Sequence, residues 1–323
     1  MNKGPSKSRH LVDPEILSAV DQFPTVDLTD EILHSSRESH AKVLQQIDVT
    51  EDYPVSFEQL VVPSSFDGPD IRIEMIKPLR PKYDKMPFYY SIHGGGMVSG
   101  SAAGDRTSLA ALAAEHGLCC AAVDYRLAPE HVQPSQLQDC YSGLKWCVEH
   151  ADELRIDATR IAIGGSSAGA GLAAGLALYI RDQQEFDIHH LRLRNPMLDD
   201  RTAVTPEHPY AGEFFWTKGS NYFGWESVLG HEPGQDEVSE YYVPARASSL
   251  SGLPPTYISI GSIDLFIDEA LRFAKQLAYD GVPVELHVYP GYHHMSPMFP
   301  QAHYAQEGAR TSEHALLKAL GLR

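Results

Sequence analysis

The chain predicts an α/β fold, a mostly parallel central sheet flanked by helices. Two features carry that expectation. From residue 86 onward, short apolar runs alternate with helix-like stretches, the rhythm of strand–helix–strand units that pair in parallel through right-handed crossovers. The rhythm breaks after residue 195 and resumes near residue 245, which places one insertion inside one core.

Taken in order, residues 11–47 hold two helix-like stretches, Pro14–Gln22 and Leu28–Gln46, each acidic near its start as the helix dipole prefers. Phe57–Pro63 and Ile71–Lys77 read as a hairpin around Asp67-Gly68. Phe88–Ile92 is a strand running into His93-Gly94-Gly95-Gly96, followed by a helix over Asp105–His116 and a strand over Leu118–Tyr125. A helix over Ser135–His150 precedes the strand Arg160–Ile163, which ends at Gly164-Gly165 and leads into a small-residue helix from Ala168 to about Tyr179. Residues 199–244 are rich in Pro, Gly and aromatics and contain no convincing strand. The final units are a strand over Thr256–Ile260, a helix over Ile267–Tyr279 ended by Gly281, a strand over Val284–Tyr289 and a helix over Gln301–Leu320.

The expected organisation is therefore a core of residues 51–195 and 245–323, an N-terminal helical arm over 1–50, and an insertion over 196–244. Arm and insertion are expected to form a lid over the active site. One run resists the scheme. Leu191-Arg192-Leu193-Arg194 falls where a core strand belongs, and two arginines there need polar partners because an unpaired buried charge is expensive.

Bulk composition narrows the function. At 43% apolar, the 323 residues can bury a sizeable core. The formal charge of −17, from 26 basic and 43 acidic residues, repels phosphate backbones, and no basic block offsets it, so nucleic acid is set aside. Cys119 and Cys120 are adjacent in a strand-like run, and Cys140 and Cys147 share one helix face. None has metal-ligand spacing, so all four read as reduced thiols in a reducing compartment. No secretory h-region opens the chain and no run approaches the ~18 apolar residues of a membrane span, which gives a soluble, cytoplasmic expectation.

Three constellations carry chemistry. Gly165-Ser166-Ser167-Ala168-Gly169 is a G-x-S-x-G between an apolar strand and a small-residue helix, the context that gives the pattern meaning. Its tight turn presents Ser167 above a helix start; only Ser167 has glycines at both −2 and +2, which sets Ser166 aside. Without a Lys after its glycines the loop is no phosphate-binding Walker motif. Next, the glycines of His93–Gly96 let backbone N–H groups approach a substrate oxygen. With the N–H of Ala168 they would form an oxyanion hole from Gly94, Gly95, Gly96 and Ala168, His93 shaping the loop. Finally, Asp264 follows the strand Thr256–Ile260, and His293-His294 follow Val284–Tyr289. A serine hydroxyl needs an imidazole to take its proton and a carboxylate to orient that imidazole. Asp268 sits inside the next helix, and 16 histidines make position after the strand the deciding criterion.

These motifs resemble the hormone-sensitive-lipase-like, bacterial type IV esterases of the α/β-hydrolase superfamily. The resemblance runs from Leu11-Val12-Asp13-Pro14 through His93–Gly96, Asp124–His131 and Gly165–Gly169 to Asp264–Glu269 and Tyr289-Pro290-Gly291-x-x-His294. It implies an α/β-hydrolase fold with a helical cap. It places the acid at Asp264 and selects His294 over His293, which gives the triad Ser167, Asp264 and His294. It also assigns the oxyanion donors to Gly95, Gly96 and Ala168, with Gly94 adjacent. Short acyl esters are the implied substrates, without a metal or organic cofactor. Family members often pair as homodimers through the edge strand near the C-terminus; the sequence itself carries no sign of that.

Departures are Ser166 for the usual Asp or Thr, Leu265-Phe266 for Pro-Leu, and Met295-Ser296 for Gly-Phe. None removes a catalytic group. Met97 and the insertion's Phe214, Phe215 and Trp216 are candidate walls of an apolar substrate pocket, with simple packing as the alternative. The same groups would serve an amide, carbamate or lactone. A ligand receptor on an inactive hydrolase framework is the reading from another class, and the complete set of catalytic residues weighs against it.

Overall fold

The computed structural model describes residues 6–22, 25–44 and 46–323. Residues 1–5 of the expected arm and Gln45 in its second helix lie outside them. Eight strands of the described residues make one sheet: β1 (Val55–Val62), β2 (Ile71–Pro78), β3 (Met86–Ile92), β4 (Cys119–Asp124), β5 (Ile156–Ser166), β6 (His190–Arg194), β7 (Thr256–Gly261) and β8 (Val284–Tyr289). Their spatial order is β1-β2-β4-β3-β5-β6-β7-β8. β2 runs antiparallel to both neighbours and every other pairing is parallel. The predicted hairpin and the parallel core are both present.

Strands shielded on both faces are apolar throughout rather than alternating. β3, with every residue buried from Met86 to Ile92, shows it most plainly. β5 begins four residues earlier than expected, because its first half carries the polar Asp157, Thr159 and Arg160 and gives no apolar signal. Phe88, Tyr90, Ile163, Leu191, Leu193 and Ile258 point to one face.

The helices are α1 (Leu17–Gln22), α2 (Asp30–Leu44), α3 (Val49–Asp52), α4 (Arg106–His116), α5 (Ser135–Glu149), α6 (Ala151–Leu154), α7 (Ala168–Gln183), α8 (Lys218–Leu229), α9 (Ile267–Tyr279) and α10 (His303–Ala319). α5 and α7 cover the first face, through Leu137, Cys140, Leu144, Leu172 and Leu176. α4 and the end of α10 cover the second, where Leu109, Leu112, Leu316 and Leu317 meet Tyr89, Cys120 and Ala162. All four cysteines are free and buried. Among the described residues no helix is long and apolar enough to cross a membrane.

The insertion contains α8 and no strand. It is tied to the arm by polar contacts: Ser8 N–H donates to Glu213 at 2.9 Å, and Leu28 N–H to Ser220 Oγ at 3.0 Å. The arm in turn reaches the core, where the Arg37 guanidinium donates to the carbonyls of Val98 and Ala128 and pairs with Glu130.

The two arginines of β6 lie on the second face, between the sheet and α10. Arg192 donates to Ser312 Oγ on α10 at 2.5 Å and stands over the Tyr89 ring, 5.5 Å from its centroid. Its partners are thus a hydroxyl 120 residues away and an aromatic face. The Arg194 Nε has no hydrogen-bond partner.

Candidate active site

Ser167 sits at the β5–α7 turn with φ 57° and ψ −123°, a backbone region that a side chain rarely tolerates and that recurs at functional sites. The strain is held in place on both sides. Its N–H donates to Arg194 O at 2.9 Å, and its carbonyl accepts from Met197 and Gly171 at 3.1 Å each. The turn closes only because its flanks lack side chains. A Cβ on Gly165 would strike the Ile92 carbonyl, and one on Gly169 would strike the carbonyls of Ile92 and His93.

The hydroxyl so presented meets His294. Ser167 Oγ is 2.8 Å from His294 Nε2, and His294 Nδ1 is 2.9 Å from Asp264 Oδ2. His294 and Asp264 are both buried, the latter 1% exposed. The structure thus brings together the three residues expected to act as a unit, from loops after β5, β7 and β8. The set-aside alternatives fall elsewhere: Asp268 is exposed on α9, and the His293 ring has no hydrogen-bond partner on either nitrogen. Burial, the dominant cause, pulls His293 down to about 4, so it is neutral near pH 7.

Asp264 is fixed by three donors. Oδ1 accepts from Phe266 N–H at 3.0 Å, and Oδ2 accepts from Asn195 Nδ2 at 2.7 Å as well as from His294. The sequence reading did not single out Asn195. Nothing local marks it, since it stands 69 positions from Asp264 and only the β6–β7 pairing joins them. Glu269, the last residue of the Asp264–Glu269 motif, is wholly buried on α9 and accepts from Leu198 N–H at 2.8 Å and Thr202 Oγ1 at 2.6 Å. Burial raises it well above the usual carboxylate range. It ties α9 to the segment that enters the insertion.

The glycine loop lies against the same turn. A Cβ on Gly94 would sit 3.4 Å from Ser167 Cβ. Gly95 and Gly96 have φ of 118° and 64°, values that glycine adopts freely. Their N–H groups, and that of Ala168 at the first position of α7, donate to no loop carbonyl among the described residues, as the first turn of a helix leaves its donors free. His93 shapes this loop. Its ring stacks on Tyr125 with centroids 4.1 Å apart, its Nδ1 contacts Gly94 O at 2.8 Å, and Tyr125 OH donates to His93 O at 2.9 Å.

Of the candidate pocket walls, Trp216 comes nearest the chemistry. A Cβ on Gly96 would run into its indole, and its ring centroid is 6.2 Å from that of His294. Phe214 and Phe215 lie instead against His293, at 6.1 and 4.7 Å between centroids. Met97 is fully buried at a φ of 61°.

A sequence profile described as the alpha/beta hydrolase fold matches residues 89–298. Esterase LipI of Mycobacterium tuberculosis is 30% identical over 85% of both chains. The chain belongs to the α/β-hydrolase superfamily, among its hormone-sensitive-lipase-like, bacterial type IV esterases. A solved bacterial heroin esterase superposes with a TM-score of 0.89 at 34% identity, covering 96% of this chain and 98% of that one. Esterase LipW of Mycobacterium marinum gives 0.85 at 31%, covering 97% and 98%. This chain is accordingly an enzyme of the esterase type.

Proposed function

We propose that this esterase is a serine carboxylic-ester hydrolase acting on short-acyl or small apolar esters through an acyl-enzyme. The observation that carries the reading is the continuous contact from Ser167 Oγ through His294 to Asp264, at 2.8 and 2.9 Å, beneath a glycine loop with free N–H groups.

In this reading Ser167 Oγ attacks the ester carbonyl while His294 Nε2 takes its proton, and Asp264 steadies the imidazolium. The carbonyl oxygen becomes an oxyanion, held by N–H groups of Gly95, Gly96 and Ala168, with Gly94 adjacent. Collapse expels the alcohol, protonated by His294, and leaves the acyl group on Ser167. Water then attacks that carbonyl, giving its proton to His294, and collapse releases the acid and returns the proton to Ser167. Every proton is passed through one imidazole, so no cofactor enters the scheme.

The arm (residues 1–50) and the insertion (196–244) act in this scheme as a cap over the core of 51–195 and 245–323. Supporting it are Trp216 against Gly96 and His294, and the arm's bonds to Glu213 and Ser220. Trp216 would then flank the acyl group, which favours small apolar esters.

Labelling with a fluorophosphonate tests the nucleophile: one adduct is expected, on Ser167, and none in Ser167→Ala. An adduct that persists in the variant would move the chemistry to another residue.

A further inference from the structure

Arg194 is a guanidinium without a counter-ion. It points to the second face of the sheet, as does Arg192 two positions earlier, and no carboxylate forms an ion pair with either among the described residues. Arg192 has Ser312 and the Tyr89 ring. Arg194 has no hydrogen bond to its Nε. The carboxylate whose charge acts on it, Asp105, is bonded to Ser91 Oγ at 2.7 Å and forms no ion pair with Arg194. Burial, then the charge of Arg192, pulls Arg194 below its ordinary value. Arginine does not deprotonate in a protein, so relief must come from a partner and not from neutralisation.

Arg194 lines a cavity of about 80 Å³ between the ends of β6–β8 and the start of α10. Ser259, its neighbour in register on β7, lines the same space, and its hydroxyl bonds to no described residue. Tyr289 and Tyr304 form further walls, and no carboxylate is among them. The rim includes the exposed Pro297 and Ala309, which gives solvent ions a way in. A space of this size has room for a few waters or one small ion.

We propose that this cavity is a binding site for a halide-sized monovalent anion, held by the Arg194 guanidinium with the Ser259 hydroxyl as a second donor. The anion supplies the negative charge that the cavity lining lacks, and its donors are the charged and neutral N–H and O–H groups such an ion needs. The site stands apart from the Ser167 chemistry and does not depend on the esterase reading. It adjoins that chemistry at two residues: Asn195 both lines the cavity and donates to Asp264, and the Arg194 carbonyl accepts from Ser167 N–H.

The test is the unfolding temperature of the full-length protein in sodium chloride against sodium gluconate, an anion too large for the space, at equal ionic strength. A ligand that binds only the folded state raises that temperature. The wild type is expected to gain stability saturably with chloride, and Arg194→Gln to show no chloride-specific gain. Equal midpoints in both salts for the wild type, or an equal chloride gain in the variant, would overturn the proposal. Should the variant fail to fold, wild-type crystals soaked in bromide decide alone. An anomalous peak beside Arg194 is expected; bromide on the surface with none in the cavity leaves the space to water and overturns it.

Discussion

Asn195 offers a perturbation whose parts can be separated. Its side chain gives Asp264 one of three hydrogen bonds, at 2.7 Å and buried, while its backbone holds a left-handed φ of 46°. Asn195→Ala removes the bond and places an alanine where it costs roughly 1–2 kcal/mol. Asn195→Gly removes the bond and relieves the backbone. A hydrogen bond to a charged group contributes about 1.5–3 kcal/mol, a ceiling of ~10- to 150-fold on rate at ~1.4 kcal/mol per decade. Phe266 N–H and His294 still hold the carboxylate, so kcat should fall near the lower end, by about tenfold. Both variants should lose the same kcat and differ in stability by about 1 kcal/mol, glycine being the more stable. Asp264→Asn, which gives the imidazole the wrong tautomer partner, should lose far more, on the order of 10⁴. The assay is steady-state hydrolysis of a p-nitrophenyl ester beside urea unfolding of each variant. A kcat within twofold of wild type for Asn195→Gly would refute the positioning role. So would a loss as large as that of Asp264→Asn.

Three further outcomes are expected. Ser166→Ala should keep wild-type ester hydrolysis within about threefold, since it is Ser167, and not Ser166, whose hydroxyl bonds to His294; a loss comparable to Ser167→Ala would exchange their roles. Gly96→Ala should lower kcat/KM by at least about tenfold, because the new Cβ meets the Trp216 indole at a φ of 64°, and Gly96→Ala with Trp216→Ala should recover only the steric part. Acid should weaken the fold through His190 and His293, both held down to about 4 by burial. The folded state then binds fewer protons than the unfolded chain, so stability is complete above the unfolded value of 6.5 and is lost as pH falls toward 4. The loss is at most on the order of 3 kcal/mol per histidine. Urea unfolding at pH 7 and pH 5 should show a smaller pH effect for His293→Phe than for the wild type; an unchanged effect would remove His293 from the account.

The parts of the fold legible in the sequence were those whose signal is local. Ser167 announces itself through flanking glycines, because a turn with a φ of 57° leaves no room for side chains there. Asp264 and His294 follow strands whose apolar runs mark their own ends, and Ile267–Tyr279 and Val284–Tyr289 fall where periodicity puts them. The first half of β5 was hidden by polar residues at its solvent end, and α8 by an insertion in which aromatics and glycines break any regular stripe. Asn195 and Arg192 were illegible for a different reason. Their partners, Asp264 and Ser312, are 69 and 120 positions away. Arg192 looked misplaced because the second face of the sheet is not all apolar; it carries a polar layer against α10, where Tyr257 and Tyr289 both meet Thr311.

The most direct test of the central claim is hydrolysis of p-nitrophenyl esters from acetate to dodecanoate by wild type and Ser167→Ala. The account predicts turnover that peaks at short acyl chains and vanishes in the variant while its fold is retained. A folded wild type that turns over none of them, or a variant that keeps its activity, would contradict it.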